Sequence, residues 1–399
     1  MSPDASENRP ISGLLQSLDD LCRVLGSEAD ESERIHRPTP AAQDALRSSG
    51  VLRLMLAEDI GGYAAGPSDV VKVVERIAHT DASTAWLVRS LISETAVAAS
   101  RLTAGASADL FREQPGAIVA GMSRGETGDG IVLADGQVRI NGRWRYVPGL
   151  SMATHVNLPV RIPGAPTIVC VVPRAAVRIS DNWEMLGLKA SGAFDVEAYD
   201  VVVPGHLTFP RDGSFVPRGG YVNRLSAASL SSINQSAWSQ GVARRVLDEL
   251  AVYAERRPRA PGSSLPPEFF AEYARYSYLL RSNSALLRDT LRSGEGALSR
   301  GEDLPDEVDT FLRLIGGLST QTAVDVSHFA HRFAGVHVMR NGTLQRVFRD
   351  AHTGAQHRGS NAAVAAHAGM LLSGALAPGS GWNHFDAQHS SADGTEVGE

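Results

Sequence analysis

Hydrophobic positions in the first hundred residues recur at helical spacing. From Ile11 to Leu25 they fall at Ile11, Leu14, Leu15, Leu18, Leu21, Cys22 and Leu25, which predicts an amphipathic helix. The acidic run from Glu28 to Glu33 reads as a solvated linker or helix end, and a second short helix is expected over 41–48, after Pro38 and Pro40. Beyond the glycines Gly61, Gly62 and Gly66, Ser68 is placed to cap a helix that turns Val70, Val71, Val74 and Ile77 inward. Asp81 or Ser83 can cap the next helix, DASTAWLVRSLISETAVAAS. That segment is apolar almost all round and is expected at the centre of the fold. Trp86, Ser90 and Glu94 lie four apart on it and share a face. Core packing is the plain reading of Trp86, whereas a carboxylate on so apolar a helix needs a partner or a function.

The pattern changes near Pro115. Short apolar or alternating runs such as AIVAGM, THVNLPVRI, TIVCVV and DVEAYDVVVP are separated by glycine-rich turns, with ADGQ and INGR as tight-turn signals. Helical spacing returns over 226–256, 268–291, 305–333 and 342–352, and short loops between them predict an antiparallel bundle. The organisation expected is α+β: an N-terminal helical domain (11–115), a β domain (116–225) and a C-terminal four-helix bundle (226–375), with flexible tails at 1–10 and 376–399. The stretch 344–361, LQRVFRDAHTGAQHRGSN, turns Leu344, Val347, Phe348 and Ala351 inward and then ends in a polar turn. That turn carries Gln356, His357 and Arg358, and can set an acid or base over a cleft. Arg349 and Asp350, on the helix before it, read as a structural ion pair.

Composition narrows the function classes. A net charge of −6 over 399 residues leaves no basic footprint for nucleic acid. No apolar run reaches the roughly 18 residues that read as a membrane span. The first residues, MSPDASENRP, lack the pattern of a signal peptide. Two distant cysteines, Cys22 and Cys170, indicate neither a disulfide framework nor a zinc cluster, and a cytoplasmic location is expected. His328 and His331 are three apart with His337 beyond, but no His-Glu-x-x-His accompanies them, and no metal is expected. The glycines at 61–66 are not followed by Gly-Lys-Ser/Thr, those from Gly121 to Gly130 lie between strands, and Gly-x-Ser-x-Gly is missing.

The α–β–α order resembles the acyl-CoA dehydrogenase superfamily. DASTAWLV (81–88) resembles the helix lining the active site in its flavin-dependent monooxygenase branch, and NGRWRYVPG (141–149) the strand pair running past the flavin ring. WEMLGLKASGAFDVEAYDVVVP (183–204) and HRFAGVHVMRNGTLQRVFRDAHTGAQHRGSN (331–361) resemble its second β and C-terminal signatures. Dehydrogenases of the superfamily commonly carry a glutamate base after the Arg-Asp pair. Here that place holds Gln356, His357 and Arg358, and a histidine there is the mark of the monooxygenase branch. The resemblance implies a two-component enzyme that takes reduced flavin (FAD or FMN) from a separate reductase. With O2 the flavin would form a C4a-hydroperoxide and oxygenate an aromatic or amine-bearing small molecule, as in natural-product biosynthesis. It further implies His357 as catalytic base, a pocket formed by Trp86, Glu94 and Gln356, flavin contacts from Ser123, Pro148, Ser191, Gly192 and Arg332, and a homotetramer. An imidazole suits deprotonation of a phenol or amine, since it titrates at about 6.5.

Two positions depart from the branch pattern. Glu94 stands where phenol-hydroxylating relatives commonly place a histidine, and Pro148 where they place a serine; Ser151 or Ser123 could compensate for the latter. Glu94 would suit a cationic substrate, or would pair with Arg89 or Arg358. A dehydrogenase or oxidase using Glu94 or His357, and a non-redox binding or cyclisation scaffold, are the alternative readings.

Overall fold

The computed structural model describes residues 11–122, 125, 127–212, 217–256, 264–357, 362–376 and 382. Five N-terminal helices, α1 (Ile11–Arg34), α2 (Pro40–Ser49), α3 (Pro67–Thr80), α4 (Ala82–Arg101) and α5 (Ala104–Phe111), precede the strands. Of the two readings of the acidic segment Glu28–Glu33, the helix end is the one the structure shows, since α1 continues to Arg34. Its carboxylates are used, since Glu33 pairs with Arg349 at 2.5 Å and Glu28 accepts from Thr39 Oγ1 at 2.6 Å. Ser68 does not cap α3. Gly66 is the cap residue and Pro67 opens the helix, while the Ser68 amide donates to Glu295 at 2.8 Å. Asp81 caps α4 as expected, accepting from the Thr84 amide at 2.8 Å.

The β domain is one mixed sheet. Its strands are β1 (Val119–Gly121), β2 (Gly128–Val132), β3 (Val138–Val147), β4 (His155–Arg161), β5 (Ile168–Pro173), β6 (Arg178–Ser180), β7 (Phe194–Val203) and β8 (Thr208–Pro210). They run in the order β6-β7-β3-β2-β4-β5-β8, with β1 paired to β4. ADGQ is the β2–β3 turn, but Asn141-Gly142 is not a turn. It lies inside β3, where the register against β7 shifts. Gly142 has φ +158°, and a Cβ there would stand 2.7 Å from the Gly128 backbone, so glycine serves as a bulge and a close approach.

The C-terminal region is α6 (Ala227–Glu255), α7 (Pro267–Arg300), α8 (Asp306–Phe333), α9 (Thr343–Gly354) and α10 (Ala362–Leu372). The α7 helix runs well past Leu291, ending at Gly301 in a left-handed cap. One continuous core joins all three regions: Val74 of α3, Val88 of α4, Trp144 of β3 and Trp238 of α6 belong to the same buried cluster. The site described next is built where α4, α6 and the end of α9 meet. No helix among the described residues is long and apolar enough to cross a membrane.

Candidate active site

The α4 helix is buried on most sides, as its apolar composition requires. Its half-buried positions are Trp86, Ser90, Ser93, Glu94 and Val97, one stripe at helical spacing. Trp86 is the centre of an aromatic group. Its ring meets Trp238 of α6 edge-to-face at 5.1 Å and His357 edge-to-face at 5.7 Å. Trp238 is fully buried and donates Nε1–H to the Ala82 carbonyl at 2.8 Å, which fixes α6 against the start of α4.

His357 reaches this group because α9 ends against α6. The Gly354 carbonyl accepts from Gln235 Nε2 at 3.3 Å, and a Cβ on Gly354 would lie 2.2 Å from the Trp238 ring. Glycine is what permits that approach. The chain then turns, with the His357 amide donating to the Gly354 carbonyl at 3.2 Å. The imidazole Nε2 stands 3.5 Å from Ser231 Oγ, the half-buried hydroxyl on α6. A ring steered by an indole edge on one side and approached by a hydroxyl on the other is suited to exchange a proton with a ligand beside it. Gln356 is exposed on the same turn.

A second residue on α4 belongs here. Arg89 lies one turn beyond Trp86, with its guanidinium carbon 3.6 Å from the Trp86 ring centre. It is 7% exposed, and burial pushes its pKa down to about 9. Ser93 donates to the Arg89 carbonyl at 2.8 Å and accepts from Asn234 of α6 at 3.1 Å. Asn234 is buried, and its side-chain oxygen has no hydrogen-bond partner.

Glu94 does not pair with Arg89. Its carboxylate accepts from Asn157 Nδ2 of β4 at 2.8 Å, so it ties α4 to the sheet. Arg358 and Ser123 lie outside the described residues. On the sheet side, Pro148 follows the end of β3, and the Gly149 amide donates to the Ser191 carbonyl at 3.1 Å. Ser191 is fully buried and donates its hydroxyl to the Leu188 carbonyl at 2.6 Å, which orders the loop that ends at Gly192. Ser151 Oγ, by contrast, is buried without a partner. Five residues earlier, Tyr146 is 46% exposed with its ring 5.7 Å from Trp183. An unmet hydroxyl and a flat, open aromatic wall are what the ring of a flavin requires, and these residues fit that group. Arg332 pairs with Glu272 of α7 at 2.7 Å and joins neither the His357 group nor the sheet.

Behind α9 lies a different set of charges. Arg349 and Asp350 do not pair with each other. Arg349 takes Glu33, while Asp350 accepts the Leu188 amide and so pins the 183–192 loop to the helix that carries His357. Asp350 is fully buried, and burial, reinforced by Asp81, raises its pKa to about 7. His328, His331, Phe348 and His352 form a ring cluster at centroid distances of 4.4–5.9 Å. Among the described residues no group of acidic, histidine and cysteine side chains could hold a metal ion.

Residues 233–362 match the family model described as acyl-CoA dehydrogenase, C-terminal domain. Over 369 residues the chain is 27% identical to an indole-3-acetate monooxygenase from Pseudomonas putida, covering 90% of this chain and 92% of the relative. It is 28% identical over 359 residues to HsaA, the oxygenase subunit of a flavin-dependent monooxygenase from Rhodococcus jostii, covering 86% and 93%. Among solved structures it resembles XiaF from Streptomyces sp. in complex with FADH2 and glycerol, with a TM-score of 0.82, 20% identity, and 92% and 96% of the two chains covered. The fold is that of the acyl-CoA dehydrogenase superfamily. Within that fold, the relatives to which the chain is similar over most of its length are flavin-dependent monooxygenases.

Proposed function

We propose that this protein is the oxygenase component of a two-component monooxygenase that oxygenates an aromatic or amine-bearing small molecule, with reduced flavin delivered by a separate reductase. The observation that carries this reading is the placement of His357. An imidazole stands at the cleft, edge-on to Trp86, at the position where dehydrogenases of the superfamily use a carboxylate. Reduced flavin, when bound, supplies together with O2 the oxygen-transfer chemistry. Ser151 and the Tyr146 wall are the groups that would meet its ring. Trp86, backed by the fully buried Trp238, gives the site an indole wall that keeps water out. His357 takes the proton from the substrate's hydroxyl or N–H as that atom or its ring becomes the nucleophile, and Ser231 orients the imidazole. The dehydrogenase alternative needs a carboxylate base, and Glu94 instead accepts from Asn157 on the sheet.

The test uses the purified chain, a supply of reduced flavin and ¹⁸O2 with a panel of phenols, indoles and amines. One labelled oxygen atom in the product is expected. Consumption of all the oxygen as hydrogen peroxide, whatever the substrate, would remove the reading. A homotetramer is also proposed, on the exposed apolar side chains that the bundle presents on α7, α8 and α10, among them Tyr278, Leu318 and Leu372. Light scattering of a monomer at micromolar concentration would refute it. The buried free thiols Cys22 and Cys170 suit the reducing cytoplasm proposed for it.

A further inference from the structure

A buried charge is costly unless a counter-charge meets it. Arg89 is more than nine-tenths buried, yet among the described residues no carboxylate and no hydrogen-bond acceptor meets its guanidinium. Its companion is the face of Trp86, the same indole whose edge faces His357. Stacking on an indole neutralises nothing, although it holds the cation flat and in place. The backbone beneath is fixed as well, since Asn234 holds Ser93 and Ser93 holds the Arg89 carbonyl. Burial has already pushed the guanidinium down to about 9, the signature of a cation that the fold leaves uncompensated. The other buried arginines are treated differently: Arg313 has Asp309 at 2.9 Å, and Arg346 has Asp30 and Glu33.

We infer that Arg89 is the substrate-binding residue for an anionic group, so that the substrate is an aromatic acid whose carboxylate pairs with Arg89 while its ring lies in the cleft beside Trp86 and His357. The guanidinium offers two parallel N–H donors to one carboxylate, which fixes the ring's orientation as well as its affinity. This rests on the proposed oxygenase reading for the role of His357, but not for the binding itself. Glu94, one turn and a residue further along α4, is occupied with Asn157 and leaves Arg89 for the ligand.

The experiment separates the two. Calorimetry on the full chain, with and without reduced flavin under nitrogen, compares phenyl-, indolyl- and naphthylacetate, each against its primary amide. The wild type is expected to prefer at least one acid over its amide by about tenfold or more. Arg89→Met is expected to abolish that preference, Arg89→Lys to keep part of it, and reduced-flavin affinity to stay unchanged in both. A structural role predicts the opposite of a ligand role in thermal melting. An unpaired buried charge replaced by methionine should leave the midpoint at or above that of the wild type. Equal binding of acids and amides by the wild type, no binding of either, a preference that survives in Arg89→Met, loss of flavin affinity in that variant, or a clearly lowered midpoint would each overturn the assignment. An acid bound through Arg89 but never labelled by ¹⁸O2 would uphold this inference and remove the oxygenase reading. Labelled product without acid preference would do the reverse.

Discussion

Arg89 and Arg346 are equally buried, 7% and 8% exposed, and their surroundings are opposite. Arg346 lies behind α9 among acids: it meets Asp30 and Glu33, with Asp81 close enough to act on it. Burial lowers its pKa, but Asp81, Asp30 and Glu33 together outweigh that and leave it raised. Arg89, in the cleft, has an indole face and nothing negative, and its pKa falls. The two sides of α9 thus use the same residue type for different ends. Behind the helix Arg346 and Arg349 are met by carboxylates that tie α9 to α1, while Asp350 keeps one buried carboxylate oxygen without a hydrogen-bond partner. In front of it no carboxylate among the described residues meets the Arg89 guanidinium, and the Asn234 side-chain oxygen has no hydrogen-bond partner. Unmet buried groups are costly in the free protein, and a ligand that pairs with them recovers that cost.

Substitutions on the two sides should therefore separate activity from stability. The largest effect is expected in the cleft: His357→Ala should lower turnover by about 10²–10⁴-fold while melting and flavin binding stay near those of the wild type. Unchanged turnover under saturating substrate would remove His357 from the mechanism. Behind α9, Arg346→Met should act the other way. It removes the cation that faces Asp30 and Asp81, while Glu33 keeps Arg349, and should reduce folding stability by about 3 kcal/mol in urea titration, with the remaining folded enzyme fully active. A stable, inactive variant would show that the division drawn here is wrong.

A smaller effect should appear at the join between the two sides. Gly354→Ala pushes a methyl into the Trp238 ring and should cost about 1–3 kcal/mol, with turnover falling as His357 is displaced. If stability falls and turnover per folded molecule does not, the tight approach of α9 to α6 is structural only. A pH dependence offers a separate check on the buried side. Asp350 has its pKa raised from 3.8 to about 7, so the folded state holds that proton more tightly than the unfolded chain. Its contribution to stability is full below about 4 and is lost as the pH rises through about 7. The wild-type melting midpoint should decline across that window, and Asp350→Asn, which keeps an acceptor for the Leu188 amide, should flatten the decline. Identical profiles would mean that the buried carboxylate does not titrate there.

By itself, the order of apolar and polar residues determined the sequence of elements. Helical spacing set α1, α3, α4 and the bundle helices, and the alternating runs between Gly116 and Pro210 set the sheet. It also marked the polar turn at His357, because a histidine after a buried amphipathic helix stands out by type and place, and it marked Trp86 and Glu94 as sharing one face of α4. Where local signals have two solutions, the sequence pattern pointed the wrong way. Asn-Gly serves a turn or a bulge, and the choice at Asn141-Gly142 depends on β7, far along the chain. The acidic run at Glu28–Glu33 looked solvated until Arg346 and Arg349, some 300 residues later, supplied its partners. Only the tertiary structure decided that Glu94 accepts from Asn157, that Arg349 and Asp350 face different neighbours, and that Ser231 and Trp86 frame His357. Each of these depends on pairing across long sequence separation, which the spacing along one element does not encode. Arg89 lies between the two cases. The sequence offered it only as a possible partner for Glu94, and whether a carboxylate of the protein or one of a ligand compensates it is a property of the space around Trp86.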